Sequence, residues 1–435
     1  MANPTQIKRI EPLTVRIVFF THYFPPEGNA PATRTYDHCL RWVQSGHDVT
    51  VVTCAPNVPN GVVYDGYKNK VWPQKEEIDG IKVVRTWTYV AANAGGAKRI
   101  LNYVSYMVSA IFAYLFFCRR PQVIVATSPQ FFCGWAGVIC SYLKWTRFVL
   151  EIRDIWPESI VTVGAMKKGM ATRVLEFLEK WMYRSANHIV TVGEGYKNNI
   201  TQKVNIGDRI SVVTNGVDSD QFQPRDRDEA FLKNHDLTDK FVCSYVGTIG
   251  MAHGLEVTIN AAKLLKQQGR DDIAFCLVGD GARRSALEKL VQENDVANLV
   301  KFAGRLPKSE MPCVLASSDC LLIHLKKTDL FETVIPSKIF EAMAMQRPII
   351  MGVRGESADI VRRSGSGIDI EPDNAADLAE AVIKLKDDSD LYQKLCQEGR
   401  RFADENYSRD VLAGRMREVL EAVATKNPVP KVESN

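Results

Sequence analysis

Short, mostly apolar runs, each followed by a polar loop and usually a helix-length amphipathic segment, recur in two series along this chain. Val15–Phe20, Gly46–Thr53, Val123–Ser128, Phe148–Ile152, His188–Val192 and Ile210–Val213 make the first series. Phe241–Val246, Ala274–Val278, Val300–Arg305, Cys320–Leu325 and Ile349–Gly352 make the second, with Ser366–Ile370 as a weaker sixth. Runs this short and apolar read as strands buried on both faces, the condition of a parallel sheet covered by helices. Segments such as Arg173–Ser185 and Leu255–Gln267 supply the helical crossovers that parallel neighbours need. The fold class is therefore α/β: two Rossmann-like, doubly wound parallel-sheet domains. The two series share no close repeat, which excludes a solenoid, and 435 residues suffice for two domains.

Ligands of such sheets bind beyond the strand ends, so the loops there carry the candidates. The first strand runs into a loop containing Gly28 and Asn29, and Arg34 lies in the early turns of the next helix. GxGxxG is absent and three prolines replace the tight glycine turn, so this is no dinucleotide fingerprint. Phe148–Ile152 ends in the polar cluster Arg153, Asp154 and Glu158. In the second series the loops hold Gly247, Thr248 and Gly250, then Gly279 and Arg283, then Arg305. The stretch Asp329–Ile350 adds an amphipathic helix with Ile339, Phe340, Met343 and Ala344 at helical spacing. Ser337 is its expected N-cap, and Lys338 and Glu341 lie one turn apart. Helix N-terminal amides attract phosphate oxygens, and a carboxylate can take two hydrogen bonds from vicinal ribose hydroxyls. That combination suits a nucleoside diphosphate.

Composition narrows the partners. Hydrophobic residues at 46% and charged ones at 24% describe a globular chain. The formal net charge of +4 is too small to argue for nucleic acid. The ten cysteines form no CxxC pair, so they read as buried thiols in a reducing compartment. The opening residues lack an apolar h-region, and the expected setting is cytoplasmic. Ile100–Cys118 holds no charge and is bracketed by Lys98-Arg99 and Arg119-Arg120, a marginal length for a membrane span. A span would separate strands of one sheet. The segment is read as a first-domain helix whose apolar, basic-flanked side suits the inner-membrane surface. Pro56–Lys75 reads as a mobile loop.

Several motifs carry a resemblance. GHDVTVVT, TNGVD, LVGDGARRSALE, FAGRLP and FEAMAMQRPII, in that order and spread over nearly the whole chain, resemble the retaining GT-B glycosyltransferases of family 4. The resemblance implies two domains facing across a cleft: residues 1–218 on the acceptor side, with a crossover helix at 406–425, and residues 219–405 binding the nucleotide sugar. Residues 426–435 are expected to be a disordered tail. By the same resemblance Glu341 binds the donor ribose and Arg305 frames the base. The family's second glutamate is replaced by Thr333, beside Glu332. Its phosphate-binding Arg and Lys are replaced by Thr248 and His253, leaving Lys338, Arg283 and the Gly247–Gly250 amides for the diphosphate. An HD-type pair of the family is here Arg153-Asp154, so the role of its His does not carry over; Asp154 is expected near the transferred sugar from its place just past a parallel strand's end. The VIPSK loop resembles bacterial O-antigen N-acetyl-L-fucosamine transferases, implying a UDP-sugar donor and a polyprenyl-diphosphate-linked acceptor. No metal or other cofactor is implied, and Asp218-Ser219-Asp220 and Asp388-Ser389-Asp390 read as surface turns. The rival readings are a GT-B epimerase using Glu27, Asp154 and Glu158, and a non-catalytic nucleotide- or glycan-binding scaffold.

Overall fold

The computed structural model describes residues 13–91, 96–128, 130–158, 169–328, 332 and 335–430. The chain divides into one unit formed by Met1–Thr214 with Leu412–Asn435 and a second formed by Asn215–Val411.

The first unit is built on eight strands: β1 (Arg16–Phe20), β2 (Asp48–Cys54), β3 (Gln74–Ile78), β4 (Ile81–Thr86), β5 (Val123–Thr127), β6 (Arg147–Ile152), β7 (His188–Thr191) and β8 (Ile210–Val212). Their order is β3-β4-β2-β1-β5-β6-β7-β8, and every neighbouring pair except β3–β4 is parallel. β3 is an edge strand carrying Lys75, Glu76 and Glu77, charges that discourage further pairing. It joins β4 through Asp79-Gly80, both at positive φ (49° and 80°), the backbone a two-residue hairpin turn requires. Helix α1 (Ala30–Gln44) and the helix Arg409–Thr425 cover one face, where the Trp42 indole donates to the Ala413 carbonyl at 3.0 Å. Helices α2 (Gly96–Phe117), α3 (Phe131–Leu143) and α4 (Met170–Ser185) cover the other. The Tyr106 hydroxyl of α2 reaches the carbonyls of Thr21 and Val52 (2.9 and 2.8 Å), fastening that helix onto the sheet.

The second unit has six parallel strands: β9 (Phe241–Val246), β10 (Ile273–Val278), β11 (Val300–Gly304), β12 (Cys320–His324), β13 (Ile349–Gly352) and β14 (Gly367–Asp369). Their order is β11-β10-β9-β12-β13-β14. The short helix α5 (Lys338–Ala344) packs Ile339, Phe340, Met343 and Ala344 into the core behind this sheet, the apolar face its spacing predicts.

Four expectations change. The first unit ends at Thr214 rather than at 218, because Val217 pairs with Ser408 and the Asp218 carboxylate meets Arg409 at 3.0 Å. Those contacts hold 215–218 with the residues before 412. The closing helix starts at Arg409, since Asn406 ends the preceding helix. The tail beyond Thr425 is ordered at first: the Asn427 amide donates to Ala422 at 2.9 Å and Val429 packs against the core. Residues 431–435 lie outside the described residues. The loop from Pro56 is knitted down, with the Tyr64 hydroxyl donating to Val58 at 2.7 Å and the Asn69 side chain donating to Thr88 at 2.7 Å.

Candidate active site

In the second unit, β9 and β10 deliver two glycine loops that lie against each other. The Gly247 amide donates to Val278, the Ile249 amide to Asp280 and the Arg283 amide to Ile249, at 2.8, 2.9 and 3.0 Å. This contact needs glycine at 279. Its φ is +144°, and a Cβ there would stand 1.8 Å from the Gly247 carbonyl oxygen. The loops, with Arg305, Leu306 and Met311, line a cavity of about 670 Å³. Thus Gly247, Thr248, Gly279 and Arg305 come together as expected from sequence. The amides of Gly247 and Gly279 are spent inside the protein, the latter on Gly304 at 2.8 Å. The Thr248 and Gly250 amides have no acceptor among the described residues.

α5 brings Lys338 to the same place. Its Nζ lies 4.3 Å from the Tyr245 ring centroid and 2.8 Å from where a Gly247 Cβ would be. Tyr245 is held by its hydroxyl, which donates to the Thr248 carbonyl at 2.8 Å. The ammonium therefore rests on a ring face, a cation–π contact, and makes no ion pair among the described residues. Glu341, one turn on, likewise has no side-chain partner among them. Burial lowers Lys338 to about 8, opposed by Glu341. Burial raises Glu341, opposed by Lys308, Lys338 and Arg409. His253, edge-on to Tyr245 with ring centroids 5.7 Å apart, is held below its ordinary value by burial and then by the Lys338 charge. So a neutral ring stands beside the Lys338 ammonium.

His324, buried at the end of β12, was missed in the sequence. Its Nε2 accepts from the Asp373 amide at 2.9 Å, so Nδ1 carries the proton and donates to the His253 carbonyl at 2.6 Å. It fixes the turn on which His253 sits. Three assignments need correction. Arg283 is ion-paired with Glu256 and does not line the cavity. Ser337 has helical backbone angles and makes no side-chain cap bond. The Gly247 and Gly279 amides, as noted, are not available to phosphate. Thr333 lies outside the described residues; the Glu332 carbonyl accepts from the Glu356 amide at 2.9 Å.

In the first unit the candidates sit at the ends of β1 and β6. Arg34 does not project into a ligand site. Its guanidinium is buried against Glu151 (3.0 Å) and the carbonyls of Val213 and Thr214 (2.9 and 2.6 Å). Burial works against the Glu151 charge, yet Arg34 and then Arg153 outweigh it and push Glu151 down to about 2. Asn29 is a helix cap, its Oδ1 accepting from the Ala32 amide at 2.9 Å. Gly28 is exposed, with open space where a side chain would go. Glu27 accepts from the amides of Phe24, Asn57 and Val58 (3.3, 3.0 and 3.1 Å), pinning its loop. Glu158 joins Lys203 at 3.0 Å and Asn199 at 2.9 Å. Asp154 is half-buried, its carbonyl accepting from Ser128 at 3.4 Å. Arg153 is half-buried, and its Nε and Nη1 have no hydrogen-bond partner among the described residues. Burial lowers it to about 10, with Glu151 opposing.

Among the described residues no group of three or more His, Cys, Asp or Glu side chains is placed to hold a metal ion. The two acidic triplets have structural work: Asp218 pairs with Arg409, and Asp388 caps the helix Ser389–Asn406 by accepting from Leu391 at 2.9 Å.

Residues 226–402 match the family Glycosyl transferases group 1, and residues 29–216 match the Glycosyl transferase 4-like domain. The chain is a GT-B glycosyltransferase of group 1. It is 28% identical over 314 residues to the putative colanic acid biosynthesis glycosyl transferase WcaI of Escherichia coli K12, covering 70% of this chain and 75% of that protein. It is 30% identical over 271 residues to the probable glycosyltransferase WbjE of Pseudomonas aeruginosa, covering 61% and 66%. Sucrose-phosphate synthase from Thermosynechococcus elongatus shares the fold, with a TM-score of 0.70, 15% identity and coverage of 95% of this chain and 100% of that one. So does Anabaena HepE, crystallised with UDP, at a TM-score of 0.65 and 14% identity over 94% of this chain and 100% of that one. The glycosyltransferase's cavity and its Lys338–Glu341 helix both fall inside the group 1 segment.

Proposed function

We propose that this glycosyltransferase moves a sugar from a UDP-sugar, with retention, to a polyprenyl-diphosphate-linked saccharide during assembly of a bacterial surface polysaccharide. The observation that carries it is the open pair Lys338 and Glu341. Two half-buried, opposite charges stand on one helical turn beside a cavity and bond to no described residue. Charges left unpaired in a low-dielectric site cost stability, and a ligand that satisfies both relieves that cost. A nucleoside diphosphate does so, with ribose hydroxyls on Glu341 and phosphate oxygens on Lys338 and the Thr248 and Gly250 amides. Donors aimed at the departing diphosphate lower the barrier as the sugar–oxygen bond breaks. Asp154, at the strand end of the other unit, orients the acceptor or a sugar hydroxyl. The enzyme works without a metal, on the cytoplasmic face of the inner membrane, with α2 against the lipid. The relatives named for biosynthesis of colanic acid and other polysaccharides support a glycan acceptor. N-acetyl-L-fucosamine is the donor sugar we assign, on the VIPSK loop. The epimerase reading is weakened because Glu27 is committed to three amides.

Saturation-transfer NMR over a panel of UDP- and GDP-sugars, followed by turnover assays, tests the reading. UDP release only when lipid acceptor is present supports transfer. Sugar interconversion without acceptor identifies an epimerase, and binding without turnover identifies a scaffold.

A further inference from the structure

At the ends of the neighbouring strands β5 and β6, two polar side chains of the first unit are buried without partners. The strands pair in parallel through Thr127 and Glu151, so the chain leaves both side by side. The Ser128 hydroxyl joins the two ends by accepting from the Arg153 amide at 3.0 Å. Arg153 directly follows β6. Its Nε and Nη1 are buried with no hydrogen-bond partner among the described residues, while the residue as a whole stays partly exposed, so the guanidinium can be approached. Gln130 lies just past β5 and is 3% exposed. Both its Oε1 and its Nε2 lack a hydrogen bond among the described residues, although the Tyr23 hydroxyl stands beside them. Gln130 precedes α3, yet its side chain does not cap that helix. The Phe131 and Phe132 amides that open α3 have no acceptor among the described residues either.

Charge points the same way. Glu151 is already clamped by Arg34 at 3.0 Å, so two guanidinium charges, Arg34 and Arg153, act on one carboxylate. His38 beside them is kept neutral by burial and then by the Arg34 charge. The groups that act on Arg153 are Glu151, Arg34 and Tyr196, with neither Asp154 nor Glu158 among them. The cluster is one negative charge short. A buried cation in that state costs stability, and the guanidinium fork matches a carboxylate or a phosphate. A primary amide with both atoms open asks for a group that donates and accepts, which a hydroxyl does.

We propose that Arg153, Gln130 and the opening amides of α3 form a subsite for an acidic sugar group, with an oxyanion on the guanidinium and an adjacent hydroxyl on the Gln130 amide. The proposal rests on the reading that the first unit takes a saccharide acceptor, and adds that this acceptor is selected by its charge. Two sources carry the same chemistry: the carboxylate of a uronic acid, and the phosphate through which a sugar is joined to its lipid.

The test uses the full chain with saturating UDP, so that phosphate sites in the donor cavity are filled. Saturation-transfer NMR and thermal unfolding are run with glucuronate, glucose 1-phosphate, inorganic phosphate and glucose. The parent should bind at least one of the two acidic sugars, melt higher in its presence, and bind inorganic phosphate about tenfold more weakly. A preference for glucuronate assigns the carboxylate, and a preference for glucose 1-phosphate assigns the phosphate. Arg153→Met should weaken the acidic sugar about tenfold or more and abolish its stabilising effect. Any glucose binding should be unchanged in that variant, as should UDP affinity, because the UDP site we assign lies in the second unit. Gln130→Leu keeps the charge and should lose the preference for the acidic sugar over inorganic phosphate, which decides the matter if Arg153→Met does not fold. A parent that binds neither acidic sugar overturns the proposal. So does acidic-sugar binding that survives Arg153→Met, or a loss of glucose binding just as large. None of these readouts needs turnover, so failure of the transferase reading would appear in the turnover assays and failure of the subsite in the binding assays.

Discussion

Lys338→Met keeps the side chain's apolar stem over Tyr245 and removes only the charge. Charge-assisted hydrogen bonds are worth roughly 1.5–3 kcal/mol, so the variant should lose about tenfold to a hundredfold in kcat/KM. If the charge acts on the departing diphosphate, most of the loss falls on kcat rather than on UDP affinity. Burial places Lys338 at about 8 in the free protein. Parent kcat/KM, which reports the free enzyme, should therefore fall as pH rises past about 8, and Lys338→Met should lack that descending limb. Stability should move the other way. The unfolded chain keeps a lysine near 10.5, so the charge costs the ligand-free fold stability below pH 8. That cost fades as pH rises from 8 toward 10.5. Removing it should raise ligand-free stability by on the order of 1–2 kcal/mol, allowing for partial solvent screening. Steady-state kinetics from pH 6 to 9.5, calorimetry with UDP and uridine, and thermal scans measure all three. Parent-like turnover and UDP affinity in Lys338→Met would falsify the assignment, as would a descending limb that survives at the same pH.

Glu341→Ala should weaken UDP and uridine alike, by about tenfold to a hundredfold in calorimetry; a loss confined to UDP would place Glu341 on phosphate instead of ribose. Asp154→Asn should lower turnover far more than UDP affinity, and turnover within a factor of two of the parent would make Asp154 structural. Gly279→Ala puts a Cβ 1.8 Å from the Gly247 carbonyl at a φ of +144°, so the loops must part; a loss of about 1–3 kcal/mol and weakened UDP binding should appear together in melting and calorimetry. Glu151→Gln leaves the Arg34 guanidinium buried and uncompensated, which should cost about 3–5 kcal/mol in denaturant titration. In the parent, the stability held by Glu151 is present above its ordinary value of 4.5 and is lost as pH falls toward 2.

The two sheets were legible because buried parallel strands leave a signal that needs no context: five or six apolar residues between a turn and a helix. The β3–β4 hairpin was not read, although KEEIDGIKVV contains the Asp-Gly turn pair with alternating residues before it. Its charged edge strand lacks the apolar run that marked the others. At the candidate site, Glu341 and Lys338 were found because their spacing on one helix is a local fact. Arg283 and Gly247 were given phosphate roles, and Gly279 a place in the nucleotide site, because a loop's sequence does not say which of its groups are already spent. That depends on a second loop, from β10, laid across the first. Tyr245 and His324 read as strand residues for the same reason, their roles being set by partners far along the chain.

Glu151 did leave a mark in the sequence. It is the single charge inside the buried run Phe148–Ile152, and a carboxylate inside a central strand must be paired or be costly. Here it is paired: Arg34 clamps it at 3.0 Å and spends its remaining donors on carbonyls at the end of β8. The second unit holds the same ingredients, a carboxylate and a cation near strand ends, with the opposite outcome. Lys338 and Glu341 stand one turn apart on α5, yet each is left without a described partner. Lys338 is fixed over a ring face and Glu341 by the helix itself. Proximity of opposite charges therefore does not separate the structural pair from the candidate binding pair. What separates them is whether the internal hydrogen bonds are closed. A closed pair stabilises the fold and has nothing left for a ligand. An open pair keeps an unmet electrostatic demand, which a molecule offering both hydroxyls and negative oxygens would meet on both sides.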